Sequence, residues 1–399
     1  MYKINNRKKT PQKQLKNKQK SRKIRINKKV FYFISLIFVV IFLALISIFA
    51  LLHIDPVLAA NFTDDHLRPL IGNQATISLE SFIFNIQDDA NQIKYNFEAP
   101  SSQVFANSNY TSTDKLTPLP TSFSSSTIIP PMSSFPVLPG EGVWIPINIG
   151  TKDIEMVKTF VRPDPQRSYA IVALVKMDMS KLNFGSVAGY KEPGGLSNPG
   201  PGYIPKDIVA SGKLTAAFNG GFLNKDGKYG MVVGNHTYVP LEDGPATLVI
   251  FNNAKPQIVK YEGQNFGSDV IAMRQNGPML IENSEIVTQS AEWNMQTWGL
   301  TTTNSMYTWR SGIGITQNGD LIYAAGPSLI PQTLAEALKA AGAVNAMQLD
   351  INSAWVRFII YNLSNNHEYT YQPLLSSMVN GGEQYLNGYQ KDFFYVYKK

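Results

Sequence analysis

Three short segments in the second half of the chain carry residue types that could bind an anion or do acid–base chemistry. The first, Asn219-Gly220-Gly221-Phe222, ends an apolar run, and its paired glycines let backbone N–H groups approach a ligand and allow a left-handed bend. The second starts at Arg310, whose guanidinium could hold a phosphate or carboxylate through two parallel hydrogen bonds. The third, Leu349-Asp350, puts a carboxylate at the end of a strand. Each also has an ordinary interpretation, as a tight turn, a surface arginine and an aspartate that caps a turn.

Strands predominate among the elements that must position these segments. Apolar runs and hairpin patterns predict strands over 169–175, 214–218, 231–233, 238–240, 247–251, 257–261, 312–315, 321–324 and 346–350. One helix is predicted over 333–341, opened by a capping box of Thr333 and Glu336 and stopped by Gly342. The pattern predicts an α+β domain on a largely antiparallel or mixed sheet with few helices, preceded by a single transmembrane helix.

The transmembrane signal-anchor helix is expected over residues 30–54. No charged residue occurs between Val30 and Leu52, and about 20 apolar residues suffice to cross a bilayer. Thirteen of the 36 Lys and Arg residues lie in the first 29 positions, and no Asp or Glu precedes Asp55. This asymmetry predicts a basic cytoplasmic tail over 1–29 that contacts membrane lipid, with the main domain outside the cytoplasm. The alternative is a signal peptide cleaved at Val57-Leu58-Ala59.

The rest of the chain is predicted to be a stalk and one large domain. Residues 55–139 form an extracytoplasmic stalk rich in Ser and Pro, with a hint of a short strand at Phe82, Phe84 and Ile86, and residues 140–399 form the folded domain. Beyond the tail, 23 basic residues stand against 29 acidic ones, which argues against nucleic-acid binding.

The sequence contains no cysteine, which excludes several kinds of catalytic and structural site. This absence excludes a thiol nucleophile, a disulfide framework and thiolate metal sites, and it fits a bacterial cell-surface protein better than an animal secretory one. With four histidines and no metal-ligand cluster in the sequence, no cofactor is predicted. A divalent ion held by Asp350 and a backbone carbonyl stays an alternative.

Taken together, the three segments are more specific than each is alone. The series Phe-Asn-Gly-Gly-Phe, Arg-x-Gly-Ile-Gly-Ile, Leu-Ala-Glu-Ala-Leu and Gly-Ala-x-x-Ala-Met-x-Leu-Asp resembles the phosphodiester glycosidase family, in a divergent, membrane-anchored bacterial branch. The resemblance runs from about Pro139 to the C-terminus and implies a hydrolase of sugar-1-phosphodiesters. The residues that match the family motif are Asn219, Gly220, Gly221, Arg310 and Asp350, which implies Asp350, Arg310 and Asn219 as catalytic residues and Gly220 and Gly221 as substrate-binding residues. Asn352 and Trp355, in the loop that follows, are further candidates for substrate binding.

One departure from the family pattern follows the Leu-Asp pair. The family's enzymes have a glycine-and-serine run there, whereas this chain has Ile351-Asn352-Ser353-Ala354-Trp355. A β-branched Ile does not readily take the positive φ open to Gly, so a phosphate cradle made by those glycines is lost or rebuilt.

In the implied reaction Asp350, with Glu282 as a candidate second carboxylate, would stabilise or attack the anomeric carbon. Arg310 would bind the departing phosphate of a cell-wall or exopolysaccharide glycan. Replacing Asp350 by Asn should then stop turnover and leave stability nearly unchanged. Trp355 and its neighbours could stack on sugar rings or simply lie in the core. The altered loop supports a second hypothesis, a non-catalytic glycan-binding or scaffolding ectodomain.

Overall fold

The computed structural model describes residues 55–101, 103–106, 123, 128–149, 153–252, 255–288 and 307–399, besides five isolated positions between 32 and 40. Its contacts form two compact units, Met1–Ala50 and Leu51–Lys399, and the second holds every element named below. The predicted transmembrane segment over 30–54 lies outside the described residues apart from those five positions. Within the described ranges, no helix is both long and apolar enough to cross a membrane.

The largest sheet has eight strands, all antiparallel to their neighbours. In order across the sheet they are β1 (Ile145–Pro146), β2 (Met156–Val161), β3 (Val172–Met177), β14 (Leu321–Leu329), β13 (Thr308–Thr316), β15 (Ala343–Ile351), β11 (Met279–Glu282) and β12 (Glu285–Ile286). The inner strands are buried along most of their length, because their apolar runs are covered on both faces.

Two five-stranded antiparallel sheets accompany it. In spatial order, one consists of β7 (His236–Val239), β6 (Met231–Val233), β10 (Val270–Gln275), β8 (Ala246–Phe251) and β9 (Gln257–Lys260). The other consists of β17 (Tyr369–Pro373), β16 (Phe358–Leu363), β5 (Leu214–Asn219), β18 (Phe393–Lys398) and β4 (Leu182–Val187). One apolar cluster draws on all three sheets, among others through Phe218, Leu248 and Tyr323. Each of the nine strands predicted between residues 169 and 350 overlaps an observed one, and the predicted α+β class is confirmed.

The helices are few and mostly short. They are α1 (Pro56–Phe62), a π-helical turn (Thr63–Leu67), α2 (Arg68–Ile71), α3 (Asn73–Tyr95), α4 (Lys206–Ala210), a 3₁₀ turn (Asn224–Asp226), α5 (Pro331–Ala340) and α6 (Gly382–Asn387). Helix α5 ends before Gly342 as predicted, with φ of +100° at that glycine. Its predicted start is two residues late, because Pro331 opens the helix and Thr333 is its third residue. The Thr333 hydroxyl still caps this end by accepting from the Ile330 N–H at 3.1 Å.

Close packing explains the two glycines of the Arg-x-Gly-Ile-Gly-Ile segment. A Cβ on Gly312 would lie 3.2 Å from both Leu334 and Leu338 of α5, so this glycine lets the helix pack closely on β13. A Cβ on Gly314 would lie 2.7 Å from the Ala343 side chain, so this glycine leaves room for the first residue of the neighbouring strand β15.

Helices α1 to α3 occupy the first half of the segment that was predicted to be a stalk. The short strand predicted at Phe82, Phe84 and Ile86 is wrong, because these residues belong to α3, whose buried positions follow a helical spacing. Asp88 of α3 forms a buried ion pair with Arg167 at 2.8 Å, and it also accepts a hydrogen bond from the Tyr169 hydroxyl at 2.8 Å. Residues 56–95 are thus packed on the sheets rather than extended, while most of 107–127 lies outside the described residues.

Candidate active site

The three candidate segments meet at the C-terminal end of β15. The Ser311 hydroxyl donates to the Asp350 carbonyl oxygen at 2.8 Å, and the Asn219 side-chain amide donates to Ser311 Oγ at 2.9 Å. The Asp350 N–H donates to the Gly220 carbonyl oxygen at 3.0 Å. Neighbouring strands and these three hydrogen bonds therefore bring distant parts of the sequence to one place.

The Asp350 carboxylate is buried and paired. Its Oδ1 accepts from the Ile351 N–H at 2.8 Å, and its Oδ2 contacts the ammonium of Lys391, which is buried as well. Burial raises the pKa of Asp350 to about 6, although the Lys391 charge favours the ionised form. Burial by itself would lower the pKa of Lys391, but the Asp350 charge outweighs this effect and the net direction is upward. Both groups are therefore charged at neutral pH.

A small cavity of about 80 Å³ lies beside Asp350. The loop after β15 contributes Asn352 and Trp355 to its lining, and the N-terminal helices close its other side with residues that include Ala60 and Glu80. At roughly 30 Å³ per water molecule the space corresponds to two or three waters. Burial raises the pKa of Glu80 to about 7, with the nearby Arg68 acting in the opposite direction.

Arg310 lies in the interior, away from this cavity's lining. Its side chain is 1% exposed, and its guanidinium donates to the Leu329 carbonyl oxygen at 2.8 Å and to Gln348 Oε1 at 3.0 Å. Burial lowers the pKa of Arg310 to about 9. These contacts favour a structural role, because a phosphate clamp needs donors that a ligand can reach.

Asn219 is a buried connector. In addition to the bond to Ser311, its amide donates to the Gly220 carbonyl oxygen, and its Oδ1 accepts from the Tyr323 hydroxyl at 3.0 Å and the Arg357 N–H at 3.1 Å. With its polar atoms used in this way, Asn219 positions the strand end that supports Asp350.

Gly220 and Gly221 allow close packing against neighbouring side chains. The left-handed bend predicted at this pair is wrong. Neither Gly220 nor Gly221 has a positive φ. A Cβ on Gly220 would lie 2.0 Å from the Asp392 carboxylate, and one on Gly221 would lie 2.9 Å from the Arg274 guanidinium. The Gly221 N–H donates to Asp392 Oδ2 at 3.0 Å, so the backbone N–H that was expected to meet a ligand meets a protein carboxylate instead.

The loop after Asp350 is rebuilt around Asn352. This residue has φ of +80°, which asparagine tolerates better than a β-branched residue, and its Oδ1 accepts from the Ala354 N–H at 3.0 Å. The turn brings Trp355 to the cavity, where its ring centroid lies 4.8 Å from Lys391 Nζ. Trp355 also packs with Ala60 of α1 and is 6% exposed, so the N-terminal helices cover it.

Glu282 is too distant to act as a second carboxylate. It ends β11, whose Ile281 pairs with Ala346 of β15, and the antiparallel register places it toward the start of that strand. Asp350 stands four residues beyond Ala346, a separation of roughly 13 Å along a strand.

Two groups that surround the site come from the C-terminal end of the chain and lie outside the motif segments. Lys391, which pairs with Asp350, and Asp392, which pairs with Arg274 at 2.7 Å, both precede the last strand, β18. The only local signal was a Lys-Asp pair beside an apolar run, which is common on protein surfaces. No group of three or more His, Asp or Glu in the described part of the chain is placed to hold a metal ion.

Part of the chain matches the model of a known protein family. The model of the phosphodiester glycosidase family matches residues 212–351, which confirms the resemblance inferred from the motifs. No curated protein matches the chain. One matching solved structure is the catalytic domain of zebrafish N-acetylglucosamine-1-phosphodiester alpha-N-acetylglucosaminidase, auto-inhibited by its pro-peptide. It is 12% identical over 64% of this chain and 87% of that chain, with a TM-score of 0.41. Another is a hypothetical protein from Synechocystis, 14% identical over 61% of this chain and 62% of that one, with a TM-score of 0.32.

Proposed function

We propose that this chain is an extracytoplasmic, membrane-anchored hydrolase that cleaves a sugar-1-phosphodiester in a cell-surface glycan. The observation that carries the proposal is the buried Asp350–Lys391 ion pair beside a cavity, at the junction of the segments that match the family. The match implies a glycosidase-type hydrolase. The substrate and the location are inferred from that chemistry and from the charge pattern of the N-terminal residues.

Asp350 is the group best placed for the reaction. Its carboxylate, ionised at neutral pH, can stabilise positive charge on the anomeric carbon or attack that carbon directly. Lys391 keeps the carboxylate charged and restricts its orientation. Because a phosphate ester leaves readily, the reaction depends less on a strong general acid than ordinary glycoside hydrolysis does.

The test is release of free reducing sugar from defined hexose-1-phosphodiesters by the full-length protein in detergent micelles. Asp350→Asn should abolish release. Glu282→Gln is the matched control, since this carboxylate lies away from the cavity, and it should retain parental turnover. Equal turnover by Asp350→Asn and the parent would contradict the catalytic assignment. Digestion of the domain by protease added outside intact cells, with the tail protected, tests the location.

One observation favours a non-catalytic glycan-binding ectodomain as the second candidate. The cavity beside Asp350 is only about 80 Å³, and Trp355 is covered by the N-terminal helices. In that case glycan fragments should bind the full-length protein and should be recovered uncleaved after prolonged incubation.

A further inference from the structure

A second cavity, of about 190 Å³, lies next to the one beside Asp350 and shares Asp64, Leu223 and Trp355 with it. Three lysines line it: Lys191, Lys225 and Lys391. At roughly 30 Å³ per water molecule, the space holds about six waters, which is enough for a phosphate group. The burial of Arg310 leaves the phosphate of the proposed substrate without its expected cation, and these lysines supply three.

The three lysines come from separate parts of the chain and are held together by backbone contacts. Lys191 lies in the Pro- and Gly-rich loop after β4, and its N–H donates to the Gln390 carbonyl oxygen at 3.0 Å. Lys225 lies in the 3₁₀ turn that follows the glycine pair. The Asn224 N–H of that turn donates to Glu192 Oε2 at 2.9 Å, which ties the turn to the loop. Glu192 also lines the cavity, and its carboxylate is therefore hydrogen-bonded to the backbone N–H of Asn224.

Two carboxylates of the N-terminal helices form ion pairs with Lys225 and Lys191, the two more exposed lysines of the cavity. Asp64 Oδ1 lies 2.5 Å from Lys225 Nζ, and Asp65 Oδ1 lies 2.9 Å from Lys191 Nζ. Both aspartates belong to the π-helical turn after α1. A carboxylate and a phosphate oxygen make the same charge-assisted hydrogen bond to an ammonium, so these contacts show the lysines in an anion-binding arrangement.

We propose that Lys191, Lys225 and Lys391 form a phosphate-binding subsite, and that Asp64 and Asp65 hold this subsite in place of a phosphate. A phosphate seated there lies beside Lys391, whose ammonium touches the Asp350 carboxylate. The sugar of a phosphodiester would then extend toward the Asp350 cavity. The assignment of this anion to the substrate rests on the proposed function, whereas anion binding itself does not.

The direct experiment is calorimetric titration of the full-length protein with inorganic phosphate at low ionic strength. Asp64→Asn/Asp65→Asn removes the competing carboxylates and should tighten phosphate binding at least tenfold. Adding Lys225→Met to that variant should reverse the gain, because the ammonium that contacts the anion is lost. Lys339→Met is the matched control, since Lys339 forms a surface ion pair with Glu285 at 3.5 Å, and it should leave the gain intact.

A second measurement uses the parent protein, so it does not require that the variants fold. Acetylation of lysines in the parent protein, read by mass spectrometry, should be slowed by phosphate at Lys191 and Lys225 and unchanged at Lys339. Equal acetylation with and without phosphate, or equal affinity in the parent and the Asp64→Asn/Asp65→Asn variant, would overturn the proposal. Phosphate binding without sugar release would count against the proposed function and leave the subsite standing. If the Lys191→Met/Lys225→Met variant turns over substrate as fast as the parent, the subsite takes no part in catalysis, and the proposed hydrolase activity is unaffected.

Discussion

Replacing Asp350 by Asn removes one half of a buried ion pair. The Lys391 side chain is only 4% exposed, so its charge loses its counter-ion in a place that water does not reach. Removing one partner of such a pair lowers the free energy of unfolding by roughly 3–5 kcal/mol. The Trp355 ring and the Asp392 charge still stabilise the ammonium. We therefore expect the lower end of the range, about 3 kcal/mol. This reverses the expectation from sequence that stability would stay nearly unchanged.

The assay is thermal and denaturant unfolding of four proteins: the parent, Asp350→Asn, Lys391→Met and the double variant. At about 2 °C per kcal/mol for a large domain, Asp350→Asn should lower the Tm by roughly 6 °C. The double variant removes the orphaned charge as well and should recover most of that loss, while sugar release stays absent. An Asp350→Asn protein as stable as the parent, or a double variant no more stable than Asp350→Asn, would refute this account of the pair.

Three further predictions concern the glycine pair, the N-terminal helices and pH. Gly220→Ala should lower the free energy of unfolding by about 3 kcal/mol or more, measured by denaturant titration, because its Cβ would collide with the buried Asp392 carboxylate. Asp88→Asn should speed proteolysis within α3, since it breaks the buried ion pair that anchors the helix, whereas Asp89→Asn on the exposed face should not. The kcat/KM for sugar release should rise with pH, reach half its maximum near pH 6 and level off about one pH unit higher, because burial raises the Asp350 pKa to about 6 and the reaction needs the ionised carboxylate. A flat profile between pH 5 and 7 would contradict that role.

The expected boundary before residue 140 shows where sequence reasoning reached its limit. The composition of 100–139 is that of a linker, yet the Arg162 guanidinium donates to the Pro136 carbonyl oxygen at 2.6 Å and Ile129 is buried in the core. Helix α3 is joined to the sheets through Asp88, a polar residue whose partner lies far along the chain. Composition reports whether a segment can form a core by itself, and it does not report which existing surface the segment packs against.

Features that depend only on neighbouring residues could be predicted from the amino-acid sequence. Alternating and continuous apolar runs specified the strands, Gly342 specified the end of α5, and the order of the three motif segments specified the family. Such signals are local, because side-chain direction in a strand or helix follows from position along that element.

The charged groups that meet in the fold could not be predicted in this way. The tertiary structure paired Asp350 with Lys391, enclosed Arg310 in the interior, and seated Asp64 on Lys225. Each of these outcomes depends on sheet register and on loops that approach one another across the fold. A charge pair between distant residues leaves no periodic pattern in the sequence, since its energy comes from burial and distance that exist only after the chain has folded.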